Sequence, residues 1–268
     1  MFTAIVPVQN EESRVGRLLG RLLSLNQIRR IFVILNGSNR PTRMEVESVY
    51  KKNKGMITLV SFKEALGIDV PRAIGAKLAY SCNSPYALFV DGDLVGEITK
   101  ELSAFLTRGA RLHLDLALMN CYPHCTESNL QEPMFYFRRL LNKELGLYQE
   151  LGIATPSHGP HIVSKRMLAA VPWPDFCIPP TLLVHAVWHK LRIGIAADIP
   201  HLLLGSSLKS GTHSQRICDT IAGDCLEALY MSRNLSRSRS FKGRTYLGYQ
   251  KDRRFDLLED FLAGRFMR

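Results

Sequence analysis

The sequence predicts an α/β protein with a Rossmann-type, mostly parallel central sheet, helices on its faces and a less regular second half. Two observations carry this expectation. Over residues 2–90, four short apolar runs of strand length alternate with three helix-period patterns. In addition, 268 residues with 46% hydrophobic content are enough for one large buried core.

Residues 2–8 form the first apolar run and predict a buried strand. Behind it Val15, Leu18, Leu19, Leu22 and Leu23 share one helix face. Asn10 is the expected N-cap, with Glu11 and Glu12 suited to the positive end of that helix. Residues 31–35 predict the second strand and 42–52 the second helix, followed by a third strand at 56–61. Residues 70–81 predict a helix with Val70, Ala73, Ile74 and Leu78 turned inward, and 86–90 a fourth strand. This order gives parallel strands joined by helices. In such sheets ligands sit beyond the carboxyl ends of the strands. The second half predicts a strand at 114–119, a long helix at 132–149, a turn-rich loop Pro156-Ser-His-Gly-Pro-His161, a short strand after it and a helix at 165–170. After the loop 173–180 come a helix reaching Lys190, a strand at 193–197 and a final helix at 214–231.

Lys and Arg total 35 against 24 Asp and Glu, a net charge of +11. That excess is compatible with nucleic acid, an anionic membrane or phosphorylated ligands. Residues 232–268 contribute ten basic and four acidic side chains, and Leu257, Leu258, Phe261 and Leu262 add an apolar patch there. An anionic membrane surface met through this basic tail, RNA contact, a second subunit and a plain solvated surface all remain open. No apolar run approaches the ~20 residues of a membrane-spanning helix. The amino terminus turns acidic at once, unlike a secretory signal, which predicts a cytoplasmic location. Six cysteines in such a chain predict reduced thiols, and Cys121, His124 and Cys125 are too few for a structural zinc site.

The post-strand loops are PVQNEE, NGSNRPT, FKEALGIDVPRA and DGDLVGE. None is a Walker lysine loop or a GxGxxG fingerprint, which weakens the ATPase and dehydrogenase readings. Asp91-Gly-Asp93 ends the fourth strand, and two carboxylates one residue apart can offer hard oxygen ligands to Mg²⁺ or Mn²⁺. The simpler reading is a turn. Arg72 lies in the first turn of its helix, where it could meet an anion or simply pair with Asp69.

In order and spacing, IVPVQNEE, the strand ending in NGSNRPT, the helix DVPRAIGAKLA and FVDGDL resemble the family 2 glycosyltransferases of GT-A fold. The resemblance covers roughly residues 2–100, and more loosely SHGPHIVSKRML. It implies a GT-A-like domain over 1–231, with a nucleotide-binding half to residue 100 and a sugar and acceptor half beyond, then a basic extension over 232–268. By the family's pattern Pro7 and Glu11 hold the nucleoside and Asn36, Gly37 and Ser38 lie beside the base. Arg72 meets the base or the diphosphate, Asp91 the ribose and Asp93 the metal, Mg²⁺ or Mn²⁺. His158 and Gly159 wall the sugar and acceptor pocket. A late histidine often completes the metal site of such enzymes; His213 is preferred here to His201, and Lys209 is expected to reach the diphosphate from the same loop.

The chain departs from the family pattern at two places. Leu35 stands where many members have a base-reading aspartate. Ile178-Pro179 stands where inverting members carry a Glu-Asp pair. Asp175 is the nearest substitute base, although Pro-Asp is also ordinary turn chemistry. The expected activity is transfer of a sugar from a nucleotide-diphosphate donor to an acceptor with a free hydroxyl. The alternatives are a non-catalytic nucleotide-sugar or anionic-polymer binding protein, and a retaining transferase acting on a phosphoglycerate-like acceptor. Association with an identical subunit is open.

Overall fold

In a computed structural model, residues 1–126, 128–206 and 211–265 are described. Seven strands form the central sheet, in the order β3-β2-β1-β4-β6-β5-β7. They are β1 Phe2–Val8, β2 Ile28–Asn36, β3 Ile57–Phe62, β4 Tyr86–Phe89, β5 Leu116–Asn120, β6 His161–Ser164 and β7 Ile193–Asp198. The pairs β1/β2, β2/β3, β1/β4 and β5/β7 are parallel. β6 alone runs antiparallel, to both β4 and β5. The chain therefore has the α/β architecture and mostly parallel sheet expected of it.

The helices are α1 Val15–Ser24, α2 Arg40–Lys52, α3 Val70–Ser81, α4 Thr99–Arg111, α5 Pro133–Glu144, α6 Tyr148–Leu151, α7 Lys165–Ala170, α8 Thr181–Trp188, α9 Gly211–Ser232 and α10 Phe255–Leu262. The pleat of β1 divides the core in two: Ala4, Val6 and Val8 join one apolar cluster, and Ile5 joins the other. α1 buries Val15, Leu18, Leu19 and Leu22, at the i, i+3, i+4, i+7 spacing of one helix face. Each leucine so buried stabilises by about 1.5–3 kcal/mol.

Several elements differ from expectation for local reasons. Asn10 does not cap α1, which starts at Val15; Asn10 has φ +54° and its Oδ1 accepts from the Asn39 amide at 2.8 Å. Glu45 of α2 instead accepts from the Ser13 and Gly16 amides, at 2.7 and 2.9 Å. The long helix predicted at 132–149 breaks into α5 and α6 around Gly146, at φ +72°. α4, absent from the sequence reading, covers the sheet with Leu102, Phe105, Leu106 and Gly109.

Residues beyond 232 pack against the first half of the chain. A hairpin of β8 Ser240–Phe241 and β9 Arg244–Thr245 is followed by a 3₁₀ turn at Gln250–Asp252 and then α10, which lies on α3. Gly67, at φ +85°, admits the Asp252 carbonyl where any Cβ would collide with it. The Arg254 amide donates to the Leu66 carbonyl at 2.8 Å.

Candidate functional site

The strand order runs outward in opposite directions from β1 and β4, so their carboxyl ends bound the crevice where α/β proteins bind ligands. Asp91-Gly-Asp93 begins just past β4 and is pinned to β1. The Val90 amide donates to the Ile5 carbonyl at 3.1 Å and the Gly92 amide to the Pro7 carbonyl at 3.2 Å. A Cβ on Gly92 would stand 2.9 Å from that Pro7 oxygen. Glycine thus lets the turn lie flat on β1 and fixes Asp91 and Asp93 beside Pro7.

Arg72, 5% exposed, reaches this turn from the first turn of α3. Its Nε donates to Asp69 Oδ1 at 2.9 Å and its Nη2 to Asp91 Oδ1 at 2.5 Å, while Nη1 is buried without a partner. The anion-contact and Asp69-pair readings are therefore compatible. Burial pulls the guanidinium down, but Asp91 and Asp69 outweigh it and hold it above its ordinary value, so Arg72 remains a cation. Asp69 takes up a left-handed backbone, φ +61°, a strain of order 1–3 kcal/mol for such a residue. Its carboxylate lies between Arg72 and Arg253, whose Nη2 is 3.1 Å away. Arg253 also makes two 2.7 Å bonds to Asp224, and Arg239 pairs with Asp224 and Glu227 at 2.7 Å. A buried chain of charges thus links the C-terminal segment to Asp91.

A second group of side chains stands beside Asp93. The 3₁₀ turn His201–Leu204 docks on the loop after Asp93 through the Gly96 amide, which donates to the Leu204 carbonyl at 2.9 Å. Any Cβ on Gly96 would collide with the Leu203 carbonyl. Within this arrangement His201 Nδ1 lies 2.8 Å from His158 Nε2, and the Tyr122 hydroxyl 3.4 Å from the same nitrogen. Burial lowers the His201 pKa, against an opposing pull from Asp93. Burial, then Arg138, His201 and Arg72, holds His158 well below the usual histidine range. Neutral imidazoles beside a carboxylate are suited to a divalent cation or to hydrogen bonding of a hydroxyl.

The other expected residues fall into three groups. Asn36 and Ser38 serve the loops: Asn36 accepts from the Leu66 amide at 2.5 Å and donates to the Gly67 carbonyl at 3.2 Å, and Ser38 Oγ donates to the Val8 carbonyl at 2.9 Å. Gly37, at φ +60°, makes room for the Ala65 backbone, which a Cβ would meet at 2.5 Å. What this loop can offer a nucleotide is therefore chiefly backbone. Glu11 is 9% exposed at the base of the β1–α1 loop. Gly159 at φ +73° carries the chain past Cys121 Sγ, where a side chain would clash.

Asp175 and His213 have protein partners. Asp175 is 5% exposed and accepts from His185 Nε2 at 2.6 Å and from both terminal nitrogens of Arg237, at 2.7 and 2.8 Å. Burial pushes its carboxyl up, but the bonds from His185 and Arg237 outweigh that and hold it below its ordinary value. A carboxylate so engaged is a structural node and a weak base, so the expectation of a catalytic base at Asp175 is set aside. His213 Nδ1 is 2.6 Å from the Tyr249 hydroxyl in the first turn of α9. Lys209 lies outside the described residues. Arg138, Tyr122 and Arg253 carry no local motif to mark them in the sequence, and His201, second to His213 by sequence, sits on the turn docked beside Asp93.

A family model described as glycosyl transferase family 2 matches residues 3–171. Among solved structures, a mannosyltransferase from Pyrobaculum calidifontis in complex with GDP-mannose and Mn²⁺ is 16% identical with TM-score 0.57. That match covers 92% of this chain and 66% of the mannosyltransferase, just under two thirds of its length. Glucosyl-3-phosphoglycerate synthase from Mycobacterium tuberculosis, with Mn²⁺, UDP and glucosyl-3-phosphoglycerate, is 13% identical with TM-score 0.57, over 89% of this chain and 82% of that one. A complex of the same synthase with Mg²⁺ and UDP matches equally well, at 13% identity and TM-score 0.57, covering 89% and 81%. These likenesses show the fold. No curated protein matches the chain.

Proposed function

The chain belongs to glycosyl transferase family 2, and on that premise we propose that it transfers a sugar from a nucleotide-diphosphate donor to an acceptor hydroxyl with the aid of Mg²⁺ or Mn²⁺. The observation that carries this reading is the meeting of Arg72, Asp91 and Asp93 at the crevice between β1 and β4. Neighbouring structures of the same fold hold nucleotides with Mn²⁺ or Mg²⁺.

The donor set fits such an ion. Among the described residues no three His, Cys, Asp or Glu side chains converge as a complete metal cage. The Gly96–Leu204 bond holds the His201 turn on the loop that follows Asp93. One or two protein ligands, completed by phosphate oxygens and water, is the usual arrangement for Mg²⁺ with a nucleotide. We assign Asp93 and His201 to the ion in preference to His213. When bound, the ion neutralises charge on the departing diphosphate.

The residues of the chain supply the rest. The permanent charge of Arg72 attracts the diphosphate, and Asp69 with Arg253 fixes the direction of its guanidinium. In this reading Asp91 approaches the ribose, and Pro7 and Glu11 the nucleoside. The backbone of Asn36–Ser38 lies beside the base, and His158 and Gly159 line the acceptor side. The engagement of Asp175 with Arg237 and His185 favours a second reading, a retaining transfer in which no enzymic base is required.

A melting experiment with UDP, GDP and their sugars, with and without Mn²⁺, tests the proposal. A nucleotide at a hundred times its Kd stabilises by about 2.7 kcal/mol. The melting temperature should rise with one nucleotide and Mn²⁺ together, and Asp93→Ala should abolish the Mn²⁺-dependent part. If no nucleotide shifts the wild type, or if the protein binds nucleotide yet releases none from any donor sugar, the transferase reading fails.

A further inference from the structure

Arg138 lies in the middle of α5, 1% exposed, and its Nε and Nη2 are buried without a hydrogen-bond partner. No Asp or Glu among the described residues forms an ion pair with it. Its guanidinium carbon lies 5.6 Å from the centroid of the Tyr122 ring, and the Tyr122 hydroxyl interacts with it as well. The other buried arginines, Arg72, Arg239 and Arg253, each face carboxylates. A buried guanidinium without a counter-charge is a costly arrangement, and its natural complement is an anion.

Other unpartnered polar atoms lie one turn along α5 and in the loop that packs there. One helical turn on, Asn142 donates to the Gly152 and Ala154 carbonyls at 2.8 and 3.0 Å, which brings the loop after residue 154 against this face of α5. In that loop Thr155 Oγ1 and Ser157 Oγ are buried without partners, as is Asn142 Oδ1. His158 follows, close enough to both Arg138 and Arg72 for each to depress its pKa. The loop is thus tied to α5 through Asn142 and to the His201 turn through His158. Guanidinium N–H groups and two hydroxyls form a donor-rich set suited to a tetrahedral oxyanion.

We propose that Arg138, Thr155 and Ser157 form a subsite for a phosphate monoester carried by the acceptor. The phosphate docks on the guanidinium as the Tyr122 side chain, half-buried above it, moves aside. The acceptor's hydroxyl then points past His158 toward Arg72 and Asp91. The role given to this phosphate rests on the transferase reading, whereas the anion site itself does not.

The test is a melting series of the full chain at constant ionic strength, in which chloride is replaced by inorganic phosphate or by 3-phosphoglycerate, with glycerate as the uncharged-end control. A parallel series uses the nucleoside diphosphate with Mn²⁺. The wild type should be raised by phosphate and by 3-phosphoglycerate well beyond glycerate. Arg138→Met should melt at or above the wild type without ligand and lose the phosphate response, while the nucleotide response persists. A structural arginine would show the reverse, a lower melting temperature and an unchanged response. Arg138→Lys keeps the charge and loses the fork, and should need about tenfold more phosphate for the same shift. If Arg138→Met does not fold, this variant decides alone. Arg72→Met should lose the nucleotide response and keep the phosphate one, which separates acceptor phosphate from donor diphosphate. A wild type equally stable in chloride and phosphate, or an Arg138 variant with the full phosphate shift, overturns the proposal. A protein that binds phosphate through Arg138 but no nucleotide would sink the transferase reading and leave the anion site standing.

Discussion

Arg253 shows how much one side chain can settle. Its side chain is fully buried and bonds Asp224 twice and Asp69 once. Removing one partner of a buried pair strands the other charge, at a cost of about 3–5 kcal/mol. Arg253→Met should therefore lower stability by that order in urea denaturation and weaken nucleotide binding through Arg72. A loss below about 1 kcal/mol would place the network among weak surface pairs. His161 gives a pH-dependent effect. It is 2% exposed and stacks on Phe89 at 4.8 Å. Burial, with Arg72 nearby, holds its pKa well below the usual histidine value. The unfolded chain takes up this proton near pH 6.5 and the folded chain only at lower pH. Stability from the neutral ring is thus present above about pH 6.5 and falls as the pH drops below it. His161→Gln should flatten the stability profile below pH 6.5, measured as the denaturation midpoint against pH. An unchanged slope would mean that the ring is already protonated in the folded state.

At the scale of elements, legibility followed locality. β1, α3 and the strand leading into Asp91-Gly-Asp93 repeat apolar residues at strand or helix period, and each appears close to its expected bounds. α4 carries an equally regular face, with Leu102, Phe105, Leu106 and Gly109 buried, and like α1 and α3 starts without a side-chain cap. The direction of β6 is a matter of pairing, which a run of four residues does not encode. The contact between the loop after Asp93 and the His201 turn depends on Gly96. A methyl there would push into the Leu203 carbonyl. Gly96→Ala should keep the fold, with a loss of about 1–3 kcal/mol, and reduce the Mn²⁺-dependent nucleotide shift more than the Mn²⁺-independent one. An equal loss of both would detach His201 from the metal.

For the whole molecule the distribution of charge matters more than its sum. The +11 excess suggested a polyanion or membrane partner. Within residues 232–268, Arg237, Arg239 and Arg253 turn inward, to Asp175, Asp224 with Glu227, and Asp224 with Asp69. α10 also lies on α3, the helix that carries Arg72. Deleting residues 233–268 should leave Asp224 and Glu227 buried without their arginines and take one arginine each from Asp69 and Asp175, and abolish the cooperative thermal transition of the remaining chain. A truncated protein that still melts cooperatively near the wild-type temperature would show the segment to be an appendage. No described helix is long and apolar enough to cross a membrane.

The sequence by itself determined the α/β order and the delivery of Asp91-Gly-Asp93 to a strand end. Both follow from apolar period and turn residues, which act over a few positions. It also placed Arg72 at the start of its helix. The tertiary structure decided which charges are neutralised and which are not. Asp175 is engaged by Arg237, 62 residues away in the chain but in contact in space. His201 stands beside His158, 43 residues apart, while no acid among the described residues pairs with Arg138. Burial and pairing set the chemistry of a side chain, and both depend on residues that only folding brings together.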